Sequence, residues 1–283
     1  MSEYGLVLCG GGGRGAYQVG VWKALVKSGL AGNITGFSGA SVGALNAALF
    51  ATSSAEDAER VWESISQTVI ADPVDAIEKV IGSAIKYARS EDKSITKERI
   101  SGALNSGLFS REGLIDLIES NGINLRLSKV RIPCFACCTS METGEAEYFD
   151  MRAYSPETIT RILIASSAIP AAFPPEKIGA VSYRDGGIRD NCPIKPLYNV
   201  GYRRFIISYL GEDTVDKTAF PDAEFIELVP SEEIYLGDRN TSILNNGTMD
   251  FNAKDAAERI ALGERETEAA LEKLKLLDTV ILS

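Results

Sequence analysis

The chain has 283 residues, of which 45% are hydrophobic and 24% are charged, and its formal net charge is −10. This composition is typical of a globular domain, and no basic stripe interleaved with aromatic residues supports nucleic-acid binding. No apolar run approaches the roughly 18 residues of a membrane span, and the N-terminus lacks the features of a signal peptide. We therefore expect a cytoplasmic protein; the oligomeric state stays open.

Short apolar runs alternate along the chain with segments of helical periodicity. The runs predict strands at Leu6–Cys9, Ile34–Ser38, Ile132–Cys138, Ala180–Tyr183, Phe205–Tyr209 and Phe225–Leu228. Such alternation predicts an α/β fold with a largely parallel sheet that is covered on both faces. Because no repeat or low-complexity linker interrupts it, we expect one domain over residues 1–283.

The first segment, LVLCGGGGRGAYQVG over residues 6–20, places four consecutive glycines between a predicted strand and a predicted helix, Ala16–Lys27. Gly10, Gly12 and Gly15 satisfy the dinucleotide fingerprint G-x-G-x-x-G. A dinucleotide site normally has an acidic residue about 20 positions further on. No Asp or Glu occurs between Glu3 and Glu56. We therefore interpret the loop as an oxyanion hole, in which backbone N–H groups and a nearby arginine face an anion.

A serine stands where that acidic residue is missing. Gly39-Ala40-Ser41-Val42-Gly43 is a G-x-S-x-G motif between a predicted strand and the helical run Val42–Phe50. This context is typical of a nucleophile elbow, a tight turn that exposes a serine hydroxyl above a sheet. The positive end of the following helix favours negative charge beside Ser41. We interpret Ser41 as a nucleophile; the alternative is a tight turn without catalytic function.

The chain contains no histidine, so a Ser-His-Asp triad is excluded and the base must be a lysine or an aspartate. Asp185 ends a predicted strand and is followed by Gly186 and Gly187, which let another backbone approach closely. Asp190 is a second choice, more typical of a residue that caps the next turn. Partial burial would raise the pKa of such an aspartate and make it a better base.

Two segments differ from the rest of the chain. Residues 51–110 have a helical pattern with no convincing strand, and a helix start is predicted at Ser53/Ser54. This insertion is either a cap over the active site or additional helical packing, and we favour packing. Residues 211–283 hold 17 Asp/Glu against 7 Lys/Arg, so the whole net charge lies in this C-terminal part of the domain.

The five cysteines are odd in number and form no obvious disulfide framework, which is typical of a reducing compartment. Cys134-x-x-Cys137-Cys138 lies in the apolar run IPCFACCTS, which predicts a buried strand. Zinc would need further ligands at matching spacing, and the chain has no histidine to supply them. We expect no metal site.

Taken together, three motifs resemble those of the patatin-like phospholipase family. Its pattern is a G-G-G-x-R-G loop, a G-x-S-x-G elbow and a D-G-[GA] aspartate, in that order. This sequence matches all three, as Gly10-Gly11-Gly12-Gly13-Arg14-Gly15, Gly39-Ala40-Ser41-Val42-Gly43 and Asp185-Gly186-Gly187. The stretches ASSAIPAAFPP (165–175) and NCPI (191–194) are also similar. The resemblance covers residues 4 to 210, and it implies a three-layer α/β/α fold.

The resemblance also implies a Ser–Asp dyad that hydrolyses lipid esters. Ser41 would be the nucleophile and Asp185 the base, with the oxyanion side formed by Gly11, Gly12, Gly13 and Arg14. No metal or cofactor would be needed, and the partners would be a lipid or acyl-ester substrate and a peripheral membrane surface. The run AIPAAFPP is either an apolar wall at the mouth of the site or a core loop stiffened by prolines.

Three other functions stay open on the sequence alone. The same acyl-enzyme could be captured by an alcohol or thiol, which would make the protein an acyltransferase. The chain could also be a lipid-binding protein that keeps the elbow without catalysis. A nucleotide-dependent oxidoreductase ranks third, since only the glycine fingerprint favours it.

Overall fold

The computed structural model of the protein describes residues 3–68, 111–170, 172–236, 251 and 253–281. Within these ranges the strands are β1 Tyr4–Leu8, β2 Ile34–Ala40, β3 Cys134–Ser140, β4 Ala146–Asp150, β5 Glu176–Ile178, β6 Val181–Asp185, β7 Arg204–Ser208 and β8 Glu224–Leu228. The α-helices are α1 Ala16–Lys27, α2 Val42–Thr52, α3 Ala55–Thr68, α4 Glu112–Ser120, α5 Ile123–Leu127, α6 Pro156–Ser166, α7 Lys195–Asn199 and α8 Ala253–Ile281.

All eight strands belong to one sheet, in the order β5-β6-β3-β2-β1-β7-β8, with β4 paired to β3 off this path. The five strands from β3 to β8 in this order are parallel, and β4, β5 and β6 are attached by antiparallel pairs. From β1 the chain winds towards β3 on one side and returns as β7 and β8 on the other. Ligands of such sheets bind at the carboxyl ends of strands near this reversal.

The two faces of the sheet bury different amounts of apolar surface. Along β1, Leu6 and Leu8 enter a large core shared with α1, α2, α6 and α8. Val7 and Cys9 enter a smaller core on the opposite face, covered by α7 and neighbouring loops. This alternation confirms an α/β fold with a mostly parallel central sheet between two layers, of which the second is thin.

The predicted strands agree with the observed ones to within two residues at most ends. Two strands were missed, β4 and β5. β4, with the sequence AEYFD, is mostly half-buried, and β5 has only three residues, none of them fully buried. Neither segment has the apolar run that indicates a buried strand, because both lie at the antiparallel margin of the sheet.

The described start of the 51–110 segment is a helix packed on the core. The Asp57 N–H donates to Ser54 Oγ (3.1 Å), which agrees with the helix start expected at Ser53/Ser54. Ala58, Val61 and Trp62 of α3 are buried, and α3 contacts α1 and α8. Residues 69–110, on which the choice between a cap and plain packing also depends, lie outside the described residues.

Helices α1 and α8 cross in very close contact. A Cβ added to Gly20 would lie 2.0 Å from the Ile260 carbonyl oxygen, and one added to Gly263 would lie 2.1 Å from the Tyr17 carbonyl oxygen. Helix α8 has 29 residues, but no helix in the described ranges is both long and apolar enough to cross a bilayer. The acidic C-terminal part of the chain is thus packed, through α8, directly behind the glycine-rich loop.

Candidate active site

Ser41 occupies a strained turn between β2 and α2. Its backbone has φ 54° and ψ −128°, a region that residues other than glycine rarely adopt. A Cβ on Gly43 would lie 2.1 Å from the Leu8 carbonyl oxygen, and one on Gly39 would lie 2.2 Å from the Gly43 carbonyl. Only glycine fits at either position, because Gly43 lies directly against the end of β1 and Gly39 lies directly against the first turn of α2. This is the geometry of a nucleophile elbow.

Asp185 lies near Ser41 because β2 and β6 pair with the same edge of β3, one after the other. Ala40, the last residue of β2, pairs with Cys137, and Asp185, the last residue of β6, pairs with Cys138. The two strands run in opposite directions and end at successive positions of β3. Their ends therefore face each other, and the structure brings Ser41 and Asp185 together.

The Asp185 carboxyl is buried, with only 6% of the residue exposed. Burial raises its pKa to about 6, against the opposing effects of the Ser41 hydroxyl and the Gly187 N–H, which donates to Oδ1 (2.8 Å). Among the described residues, no donor meets Oδ2 with good hydrogen-bond geometry. The Ser41 hydroxyl is thus near enough to affect the carboxyl without a well-aligned hydrogen bond.

The glycine-rich loop lies against the elbow. A Cβ on Gly10 would be 3.1 Å from the Ser41 Cβ, and Gly12 has a positive φ of 58° at the start of a short 3-10 turn that leads into α1. None of the hydrogen bonds found among the described residues uses the backbone N–H of Gly11, Gly12 or Gly13. Within the described part of the chain, these three N–H groups therefore have no acceptor.

Asn191 ties this loop to the segment that carries Asp185. The Gly10 N–H donates to both the backbone oxygen (3.2 Å) and Oδ1 (3.1 Å) of Asn191. In return, Asn191 Nδ2 donates to the Gly10 carbonyl (3.2 Å) and to Asp213 Oδ2 (2.7 Å). One side chain thus fixes the first glycine of the loop from both sides.

Arg14 interacts with the loop itself and with the C-terminal part of the chain. Its Nε donates to the Gly11 carbonyl (3.3 Å), and its guanidinium lies over the Tyr235 ring, 5.4 Å from the centroid. Burial lowers the pKa of Arg14. The role of this side chain towards a bound anion remains a prediction.

Ser166, at the end of α6, supports both halves of the site and was not predicted. The Ser41 N–H donates to Ser166 Oγ (3.0 Å), which itself donates to the Cys137 carbonyl (2.7 Å). Two residues further on, the Ala168 carbonyl accepts the Asp185 N–H (3.1 Å). Ser166 and Asn191 both lie in stretches quoted above for their resemblance, so the sequence carried a signal for them but not their contacts.

The remaining candidate residues are Asp190 and the cysteines of β3, and their contacts are typical of a structural role. Asp190 accepts the Tyr148 hydroxyl (2.7 Å) and the Cys192 N–H (3.2 Å), which agrees with a turn-capping role. Cys134, Cys137 and Cys138 are buried in β3, as expected of a buried strand, and burial raises the pKa of all three thiols. Among the described residues there is no cluster of three or more potential metal ligands.

Comparison with known proteins identifies a family and a fold. Residues 6–198 match the family model described as patatin-like phospholipase. An uncharacterised NTE family protein of Mycobacterium tuberculosis is 25% identical over 195 residues, which is 69% of this chain and 45% of that protein. Patatin-like phospholipase domain-containing protein 7 of Mus musculus is 31% identical over 222 residues, 77% of this chain and 14% of that protein.

The chain therefore spans less than half the length of these curated relatives. Among solved structures, human GIVD cytosolic phospholipase A2 in complex with methyl gamma-linolenyl fluorophosphonate superposes with a TM-score of 0.52 at 13% identity. The match covers 98% of this chain and 58% of that one. At this identity the likeness concerns the fold.

Proposed function

The chain belongs to the patatin-like phospholipase family, and on that premise we propose that it is a serine hydrolase that cleaves fatty-acyl esters of phospholipids or lysophospholipids. The observation that carries this proposal is the convergence of Ser41 and Asp185. A serine in a strained elbow faces a buried carboxyl whose environment raises its pKa to about 6. An aspartate with such a pKa is a better base near neutral pH than an exposed one, and it is still mostly ionised there.

In the first half-reaction, Ser41 Oγ attacks the ester carbonyl carbon while Asp185 accepts the hydroxyl proton. The carbonyl oxygen becomes an oxyanion, and the tetrahedral intermediate then expels the alcohol, which takes the proton back from Asp185. In the second half-reaction, Asp185 removes a proton from water as the water oxygen attacks the acyl-enzyme carbonyl. The tetrahedral intermediate then releases the fatty acid, and Ser41 Oγ takes the proton back from Asp185. Each step uses side chains of this chain and water alone.

The loop residues Gly11, Gly12 and Gly13 would stabilise the oxyanion with their available N–H groups, assisted by the positive end of α2. Removing a single donor of this kind typically costs on the order of 10²–10³ in rate. We assign Arg14 to the same side of the site. Its contacts with Gly11 and Tyr235 fit a residue that keeps the loop in shape around the anion.

The test is fatty-acid release from mixed phospholipid vesicles, and from a short soluble ester, in the presence of EDTA. We expect release by the wild type and its loss, by about 10³-fold or more, in Ser41→Ala and Asp185→Asn. Asp190→Asn is the matched control: it neutralises the neighbouring aspartate, keeps the Oδ1 acceptor, and should retain activity. An alkyl fluorophosphonate should label Ser41 in the wild type, which peptide mass spectrometry can localise.

Two outcomes would count against the proposal. Equal activity of the wild type, Ser41→Ala and Asp185→Asn would show that other residues perform the reaction. Absence of both ester hydrolysis and labelling of Ser41 in the folded wild type would favour a lipid-binding function instead.

A further inference from the structure

Three fully buried polar side chains form a chain of hydrogen bonds behind the glycine-rich loop. They are Gln18 on α1, Asn46 on α2 and Trp62 on α3, with at most 1% of each residue exposed. None of them belongs to the motifs that define the dyad or the oxyanion loop. Buried polar groups in a core dominated by apolar residues are costly unless every one of them is bonded, so this cluster requires an explanation.

The hydrogen bonds run in one direction from α3 to the sheet. Trp62 Nε1 donates to Asn46 Oδ1 (2.8 Å), and Asn46 Nδ2 donates to Gln18 Oε1 (2.8 Å). Gln18 Nε2 then donates to the Cys9 carbonyl (2.9 Å) and, more weakly, to the Ser208 carbonyl (3.4 Å). Asn46 Nδ2 also donates to the Gly15 carbonyl (3.0 Å).

The two backbone carbonyls at the ends of this network flank the glycine-rich loop. Cys9 is the residue before Gly10, and Gly15 is the residue at which the loop becomes α1. Trp62 also packs directly on the loop, since a Cβ added to Gly15 would lie 2.9 Å from its ring. Loop residues 10–14 are therefore held at both ends by amide groups that cannot exchange their bonds with water.

From this arrangement we infer that Gln18, Asn46 and Trp62 are positioning residues for the oxyanion loop, and that α3 holds the loop in its catalytic shape. The inference rests on the proposed function, because a loop needs such precision when its N–H groups must meet a developing charge. Donors that stabilise an oxyanion act only when they are preorganised, and a misplacement of about 1 Å can cost on the order of 100-fold in rate.

This inference assigns a specific structural role to α3, which lies at the start of the 51–110 segment. Among the described residues, the donor to Asn46 Oδ1 is Trp62 on α3, and it fixes the orientation of the amide because both protons of Nδ2 are used elsewhere. With Asn46 fixed, the Gln18 amide is fixed as well. A fully satisfied network of this kind is rigid, and loss of one member leaves its partners buried without a bond.

The test uses Trp62→Phe, which removes the donor and keeps an aromatic ring at this position. We expect kcat on a soluble ester to fall by roughly ten-fold with KM changed by less than two-fold, and labelling of Ser41 by a fluorophosphonate to slow in parallel. Gln18→Met keeps the side-chain volume and removes the bonds to the Cys9 and Ser208 carbonyls. It should likewise lower kcat and leave KM nearly unchanged.

Leu197→Ala is the control for a loss of stability alone, because Leu197 of α7 is fully buried and packs on Gly5 and Gly36 near the amino ends of β1 and β2, away from the loop. It should lower the melting temperature at least as much as Trp62→Phe while leaving kcat unchanged at 25 °C. If Trp62→Phe folds and keeps the wild-type kcat, or if Leu197→Ala loses kcat equally, the inference is wrong.

A second measurement separates this inference from the proposed function. Amide hydrogen exchange of a peptide covering residues 9–17 reports the order of the loop without any reaction. Faster exchange of that peptide in Trp62→Phe, with unchanged exchange in β8, supports the inference even in a protein that hydrolyses no ester. Unchanged exchange of the loop would overturn it, whatever the activity of the wild type.

Discussion

Asp185, the proposed base, lies in an environment that opposes its negative charge. The carboxyl is buried, Oδ1 accepts one backbone N–H, and among the described residues no well-aligned donor meets Oδ2. A carboxylate with so few bonds is destabilised relative to its protonated form, which is why its pKa is raised to about 6. What helps catalysis at this residue therefore weakens the fold.

Asp185→Asn should be more stable than the wild type at pH 8, although we expect it to be inactive. The folded-state pKa of about 6 exceeds the value of about 3.9 in an unfolded chain, so the folded protein binds the proton more tightly. The cost to folding is absent below about pH 4, grows between pH 4 and 6, and is complete above pH 6. It amounts to about 2–3 kcal/mol at 1.36 kcal/mol per pKa unit.

Urea unfolding of both proteins at pH 8 and at pH 4 measures this difference. The stability gained by the asparagine variant should be present at pH 8 and gone at pH 4. An asparagine variant that is less stable than the wild type at pH 8 would mean that contacts of the ionised carboxylate stabilise the fold, and that the pKa is not raised.

The sequence predicted these residues better than it predicted their supports. Ser41 and Asp185 lie in short motifs whose residue types are dictated by chemistry and by tight turns. Ser166 is different, because it reaches the Ser41 N–H only through the register that joins β2, β3 and α6. A serine near the end of a helix has no local pattern that indicates such a long-range contact.

At the scale of elements, local sequence patterns likewise do not indicate where two helices cross. The helical pattern of α1 is clear in the sequence, but nothing local shows that Gly20 faces another helix 240 residues away. The crossing brings the backbones of α1 and α8 together at Gly20 and Gly263, where any side chain would meet a carbonyl oxygen. The strands of the parallel core were predictable for the opposite reason, because burial on both faces makes them continuous apolar runs.

Gly20→Ala should destabilise the protein by separating α1 from α8. The added Cβ would lie 2.0 Å from the Ile260 carbonyl oxygen, a backbone atom that moves only if the helix moves, and overpacking of this kind costs about 1–3 kcal/mol or more. Gly32→Ala is the matched control, since its Cβ would meet nothing within 4 Å and its φ is not positive.

Thermal unfolding of the two variants decides this prediction. Gly32→Ala should melt at or slightly above the wild-type temperature, and Gly20→Ala should melt several degrees below it. Equal melting temperatures would show that α8 can shift on α1 without cost. The closeness of the crossing would then not contribute to stability.

At the scale of the whole molecule, the unequal distribution of charge bears on how the proposed site would meet a lipid surface. Some acidic residues of the C-terminal part lie at the site end: Asp213 contacts Asn191, and Glu233 belongs to the same short turn as Tyr235, which contacts Arg14. Others lie at the far end of α1, where Glu268 pairs with Lys27. Helix α1 has 12 residues, so about 18 Å separates its two ends.

We therefore expect the protein to bind zwitterionic phosphatidylcholine vesicles better than vesicles rich in anionic phosphatidylglycerol. Ser41→Ala protein, which leaves the lipid intact, can be sedimented with both kinds of vesicle at 50 mM and 500 mM salt. Repulsion is strong at low salt and screened at high salt, so binding to the anionic vesicles should increase with salt.

The position of the charge can be tested in the same assay. Glu233→Gln, at the site end, should improve binding to anionic vesicles at 50 mM salt. Glu272→Gln, near the far end of α1, should change it little, because the Debye length at 0.1 M salt is only about 10 Å. Binding to anionic vesicles that weakens as salt rises, or an equal effect of the two variants, would contradict the prediction. Either result would mean that a face other than this acidic end meets the bilayer.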